Sequence, residues 1–134
     1  VLEHLGQTPE IYLSIIQELY RICKMGAQID IIVPHPRHDD FMTDPTHVRP
    51  ILPGQFYMYS KKMNKEWRAK GVANTPLADY LNIDFDVEEV KWVPDDKWLQ
   101  LLQNGKITFE ELAQKGENEF NIIKEVHVQL RVNK

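Results

Sequence analysis

Hydrophobic and polar positions change period several times along the chain. In "TPEIYLSIIQELYRICKMG" apolar residues recur at Ile11, Ile15, Leu19, Ile22 and Cys23, the spacing of one helical face. Thr8 is placed to cap that helix, Pro9 suits its first position, and Gly26 is expected to close it. "AQIDIIVP" then runs almost without polar interruption to Pro34, which predicts a short strand covered on both faces and paired in parallel. Phe56, Tyr59, Met63 and Trp67 repeat at helical spacing within 52–71 and predict one helix beginning near Pro53. "NTPLADYLNID" reads as a turn-rich connector with one helical turn. "FDVEEVKWV" alternates like a strand but slips at Glu88 and Glu89, the mark of a bulge or an edge. Two short helices follow in "DDKWLQLLQNG" and "TFEELAQKG", the second opened by Thr108 and Glu111 in capping-box spacing and closed by Gly116. The chain finishes on "IIKEVHVQLRV", where Val126, Val128, Leu130 and Val132 point one way and Glu125, His127, Gln129 and Arg131 the other.

The 134 residues, 43% of them hydrophobic, suffice for one domain with its own core. A net charge of -4 with scattered basic residues shows no nucleic-acid footprint. Cys23 is the only cysteine, which excludes an internal disulfide and fits a reducing compartment. No apolar run reaches the ~18 residues of a membrane span. The expectation is a soluble, cytoplasmic protein.

The segment 35–50, "HPRHDDFMTDPTHVRP", crowds His35, His38 and His47 together with Asp39, Asp40 and Asp44 between prolines. These groups titrate, coordinate and hydrogen-bond, so burial alone does not explain them. "DPT" is a turn signal in itself, and Arg49 suits either an anionic ligand or an ordinary ion pair. His38, amid polar neighbours, is expected to be solvated. His127 belongs to the polar face of its strand.

Three fragments in fixed order, "VLEHL", "ELYRICKMGAQIDIIVPHP" and "DPTHVRPI", resemble class I S-adenosylmethionine-dependent methyltransferases, and specifically the C-terminal half of their catalytic domain. The resemblance covers nearly the whole chain and implies an α/β fold, half of a Rossmann-like sheet: helix, buried parallel strand, helical connection and terminal antiparallel hairpin. Met25 and Ala27 depart from the family's proline and second glycine in the turn before the strand. The family's glycine-rich cofactor loop has no counterpart either. Glycines stand at 6, 26, 54, 71, 105 and 116, none close enough to another to form one. The resemblance therefore implies a single or partial domain that associates with itself or with an amino-terminal half.

In such sheets ligands bind beyond the carboxyl ends of the strands. The resemblance places Glu3 and His4 beside the cofactor's methionyl end, nominates His35 and His47 as substrate-side bases, and assigns Arg37, Asp39, Asp40, Asp44 and Arg49 to a small-molecule acceptor. The cofactor would be S-adenosylmethionine; no metal ligands are assigned. This enzyme reading rests on the strand near residue 30 being interior to a larger sheet. Two rival classes remain. One is a metal-dependent hydrolase using His35, His38, Asp39 and His47, disfavoured because its ligands would share one proline-broken loop. The other is a non-catalytic, partner-binding half-domain, favoured by the missing cofactor loop.

Overall fold

The computed structural model describes residues 1–134. A short 3-10 helix, Leu2–His4, leads into α1, Pro9–Ile22. Thr8 caps α1 through its side-chain oxygen, which accepts from the amide of Ile11. The buried stripe of α1 is Tyr12 and Ile16, with Leu13, Tyr20 and Cys23 packed beside them, while Ile11 and Ile22 are exposed. The stripe is thus rotated by about one residue from the expected one, because the aromatic Tyr12 and Tyr20 outweigh two isoleucines in the area they can bury.

β1, Gln28–Pro34, is followed by α2, Asp39–Thr43, α3, Gly54–Tyr57, and α4, Lys61–Lys70. The single helix expected over 52–71 is broken at Met58–Ser60, where the Ser60 hydroxyl accepts from the amide of Met63 and starts α4 afresh. Phe56 and Tyr59 are fully buried on either side of that break. α5, Leu77–Leu81, is the single turn of the connector, and buried Asn64 locks it to α4, donating to the carbonyl of Met58 and accepting from the amide of Asp79.

β2, Phe85–Pro94, and β3, Ile123–Val132, form the terminal antiparallel pair, separated by α6, Asp96–Gln103, and α7, Phe109–Asn118. The register of β2 slips between Val87 and Glu89, where the sequence breaks its alternation. Thr108 caps α7 through the amide of Glu111. Gly116 lies inside α7 rather than beyond its end. A Cβ there would stand 2.8 Å from Cγ1 of Ile123, so this glycine lets the helix approach β3 closely.

The sheet order is β1-β3-β2, all antiparallel. This corrects the expectation of a buried parallel strand: β1 pairs only with β3, stands at the border of the sheet, and is covered on one face. Ile31 and Val33 enter the core, whereas Ile32 is 56% exposed. The unbroken apolar run was misleading because Ile32 belongs to the open face, alongside Asp30, Lys91, His127 and Gln129. α1 and α3 cover the other face, over Val126, Val128, Leu130 and Val132. A second, smaller cluster of Ile107, Leu112, Ile122 and Ile123 fastens α6 and α7 to the base of β3.

Candidate functional site

Two segments distant in sequence meet beside β1. The carbonyl of Glu3 accepts from the amides of Val48 and Arg49 at 2.8 and 3.2 Å, so the 3-10 helix and the loop 44–49 form one unit. Arg49 fastens it further, donating to the carbonyl of Gly6 at 2.8 Å and lying 4.1 Å from the centre of the Tyr12 ring. Gly6 has φ of +71°, and a Cβ on it would come within 2.5 Å of Tyr12 Cβ, so the turn between the 3-10 helix and α1 requires glycine. Arg49, expected to hold substrate, is therefore engaged with the protein's own carbonyls and ring.

This arrangement brings Glu3, His4 and His47 together, each offering a ligand atom within 4.8 Å of the others. The side chains of Glu3 and His47 are each 8% exposed and that of His4 40%, so the cluster is buried on one side and open on the other. The His47 ring stacks on Phe41 and receives the edge of His4. Its Nδ1 lies 2.7 Å from the carbonyl of Phe41, which can only accept. Nδ1 of His47 therefore carries the hydrogen, and Nε2 turns a lone pair toward the cluster. Asp44 Oδ1 accepts from both the amide and the hydroxyl of Thr46, at 2.8 and 2.7 Å. The hydroxyl has no second hydrogen, so at its 3.0 Å contact with His4 it accepts from Nδ1, and Nε2 of His4 is also left with its lone pair.

Burial pushes the Glu3 carboxyl up, but its contacts with the ammonium of Val1 and with its own amide outweigh that and hold it below the usual range. The hydrogen bonds from Thr46 hold Asp44 down as well. The site is thus an anionic carboxylate facing two oriented imidazoles.

The other predicted residues lie elsewhere. His35 is 1% exposed, its Nδ1 accepts from the amide of Arg37 at 3.0 Å, and its ring lies 5.8 Å from that of Trp92. With Nδ1 occupied as an acceptor, the neutral ring bears its hydrogen on Nε2, which is buried without a partner. Burial, with Arg37 and His38 nearby, lowers its pKa to about 4. The Nδ1 lone pair of His35, nominated as a base, is thus engaged by the amide of Arg37 rather than turned toward the cluster. His38 is buried rather than solvated. Its Nδ1 accepts from the amide of Asp40, capping α2, and Nε2–H donates to Asp95 at 3.0 Å. That bond lowers the pKa of Asp95. Asp39 and Asp40 are exposed in the first turn of α2, where carboxylates favour the helix dipole. Arg37 donates to the carbonyl of Gly116 and fastens α7. His35, His38, Asp39 and His47 do not converge, so the ligand set of the hydrolase reading is not assembled.

Asp95, the partner of His38, lies 57 residues away and left no trace in the sequence. Neither did the Phe41 carbonyl, since backbone acceptors carry no residue signature. A cleft of about 440 Å³ lies apart from the cluster between α7 and β2; it is lined by Val90, Trp92, Phe109, Leu112 and Ile123, with Arg37 at its edge.

No protein-family model matches the chain, and no curated protein matches it in sequence. Among solved structures it is similar to a SAM-dependent methyltransferase from Archaeoglobus fulgidus, at 18% identity and a TM-score of 0.57. The match covers 96% of this chain and 54% of that one. The chain thus has the α/β fold of about half of a SAM-dependent methyltransferase. No helix is long and apolar enough to cross a membrane.

The residues present do not suffice for the nucleotide part of such a cofactor, since the glycines are dispersed and form no close backbone turn.

Proposed function

We propose that the chain is the acceptor-side half of an S-adenosylmethionine-dependent methyltransferase, acting on a small molecule and completed by an amino-terminal portion that carries the nucleotide cradle. The single observation that carries this reading is the fold likeness over 96% of the chain. It does not come from β1, whose border position removes the support that an interior strand would have lent. The free edge of β1 is instead where the rest of a larger sheet would add, because its outward amides and carbonyls have no partner strand.

The cofactor, when bound, supplies an electrophilic methyl group on sulfur. Glu3, a buried carboxylate, would receive the ammonium of its methionyl end. Methyl transfer is an in-line displacement that chiefly demands alignment, with a base required only when the nucleophile carries a proton. His47 is the residue fitted to serve as that base, since its Nε2 lone pair is oriented by the Phe41 carbonyl and the ring is fixed between Phe41 and His4. Asp44 and Thr46 hold His4 in the matching orientation.

The test is calorimetry with S-adenosylhomocysteine, titrated into the longest natural polypeptide that contains this sequence. Saturable binding that weakens at least tenfold in the Glu3→Gln variant is expected. A polypeptide that carries a glycine-rich turn and yet shows no heat of binding would refute the assignment. The alternative of a non-catalytic partner-binding module is favoured by the dispersed glycines, and that same negative result would promote it.

A further inference from the structure

We infer that Glu3, His4 and His47 form a binding site for a divalent transition-metal cation, with the carboxylate of Asp44 as a fourth ligand within reach. The positions of the imidazole hydrogens carry this inference. Phe41 and Thr46 hold a hydrogen on Nδ1 of both rings, so in the neutral imidazoles two Nε2 lone pairs and the carboxylate oxygen Oε1 of Glu3 are turned toward one another. Three lone-pair-bearing atoms in a half-buried site repel unless protons or a metal cation lie among them, and their spacing separates the two.

The spacing suits an ion better than hydrogen bonds. His4 Nε2 lies 3.5 Å and His47 Nε2 3.9 Å from Glu3 Oε1, and Asp44 Oδ2 lies 3.6 Å from His47 Nε2. Hydrogen bonds between such groups fall near ~2.8 Å. Ligands at ~2.05 Å around a tetrahedral ion stand about 3.3 Å apart. Small side-chain shifts would therefore close the set on an ion. The outer contacts are also those of a metal site, since a ligating imidazole commonly donates its other N–H to a carbonyl or a carboxylate-bound group, which fixes its tautomer. Two imidazoles and a carboxylate select zinc-like cations over magnesium or calcium, which prefer all-oxygen cages. Oε1 of Glu3 is on the histidine side and available. The exposed flank of His4 and Asp44 gives an entry path, and water or an acceptor oxygen could complete the coordination.

This site does not depend on the methyl-transfer reading. It would occupy the His47 lone pair that the reading assigns to proton abstraction, so the two are tested separately. The experiment uses the full chain without an affinity tag, stripped with a chelator, and titrated with Co²⁺ by visible absorption and with Zn²⁺ by calorimetry. One equivalent is expected to bind, with the intense visible bands of tetrahedral cobalt displaced by zinc. His47→Ala should weaken zinc binding at least 100-fold and His4→Ala at least tenfold, both with unchanged circular dichroism, while His127→Ala on the open sheet face leaves it unaltered. Thr46→Val, which keeps all the ligands but frees the His4 tautomer, should weaken binding by about tenfold. Absence of saturable binding, or binding unchanged in the His4→Ala, His47→Ala double variant, overturns the site whatever S-adenosylhomocysteine does.

Discussion

Burial of His35 makes stability depend on pH in a defined window. The ring is 1% exposed and its pKa is lowered from 6.5 to about 4, chiefly by burial and then by Arg37 and His38. The unfolded chain takes up a proton on this residue below about pH 6.5, whereas the folded protein resists until about pH 4, so the folded state loses ground as pH falls through that interval. The fall from 6.5 to about 4 corresponds to about 3 kcal/mol, of which about 2 kcal/mol is lost by pH 5 relative to pH 7.5. The assay is urea denaturation at half-unit steps from pH 7.5 to 5, on the native chain and on His35→Asn. Asparagine can keep the acceptor for the amide of Arg37 but does not titrate. Glu3, Asp44 and Asp95, with lowered carboxyl pKa values, lose their contribution mainly below this window and are common to both proteins. The difference between the two stability curves should therefore shrink by about 2 kcal/mol toward acid. A constant difference, or one that grows in favour of the native chain as pH falls, would contradict the account of His35 as a neutral, buried donor.

Gly6→Ala places a methyl group against the Tyr12 backbone at a positive φ and should destabilise by about 3 kcal/mol or more, read as a lowered urea midpoint with unchanged slope. Gly116→Ala meets the side chain of Ile123 rather than backbone, so a milder loss of about 1–2 kcal/mol is expected in the same measurement. His38→Ala removes both the cap of α2 and the Asp95 bond; thermal melting should report a loss of about 1–3 kcal/mol, and the carboxyl pKa of Asp95 by NMR should rise toward its ordinary value.

Local signals carried far into the fold. Thr8, Thr108 and the slip at Glu88 and Glu89 were legible because caps and bulges are written in adjacent residues. What failed depended on distant neighbours. Whether Ile32 is covered is decided by what lies over the sheet, and the run "IDIIVP" reads the same in either case. Gly116 looked like a helix end because nothing nearby in sequence announces Ile123 behind it. In the polar segment the sequence drew attention to histidines but could not sort them. His35, His38 and His47 have similar neighbours, and only the tertiary partners Trp92, Asp95 and Glu3 separate a buried donor, a helix cap and an oriented lone pair.

The order β1-β3-β2 gives the central place to the strand that comes last of the three in sequence. Within these three strands β1 and β2 are not bonded to each other, so neither has the partner it keeps here until residues 123–132 are in place. Deleting residues 123–132 would thus not trim an edge; it would remove the element to which both other strands are bonded, leaving helices with two solitary extended segments.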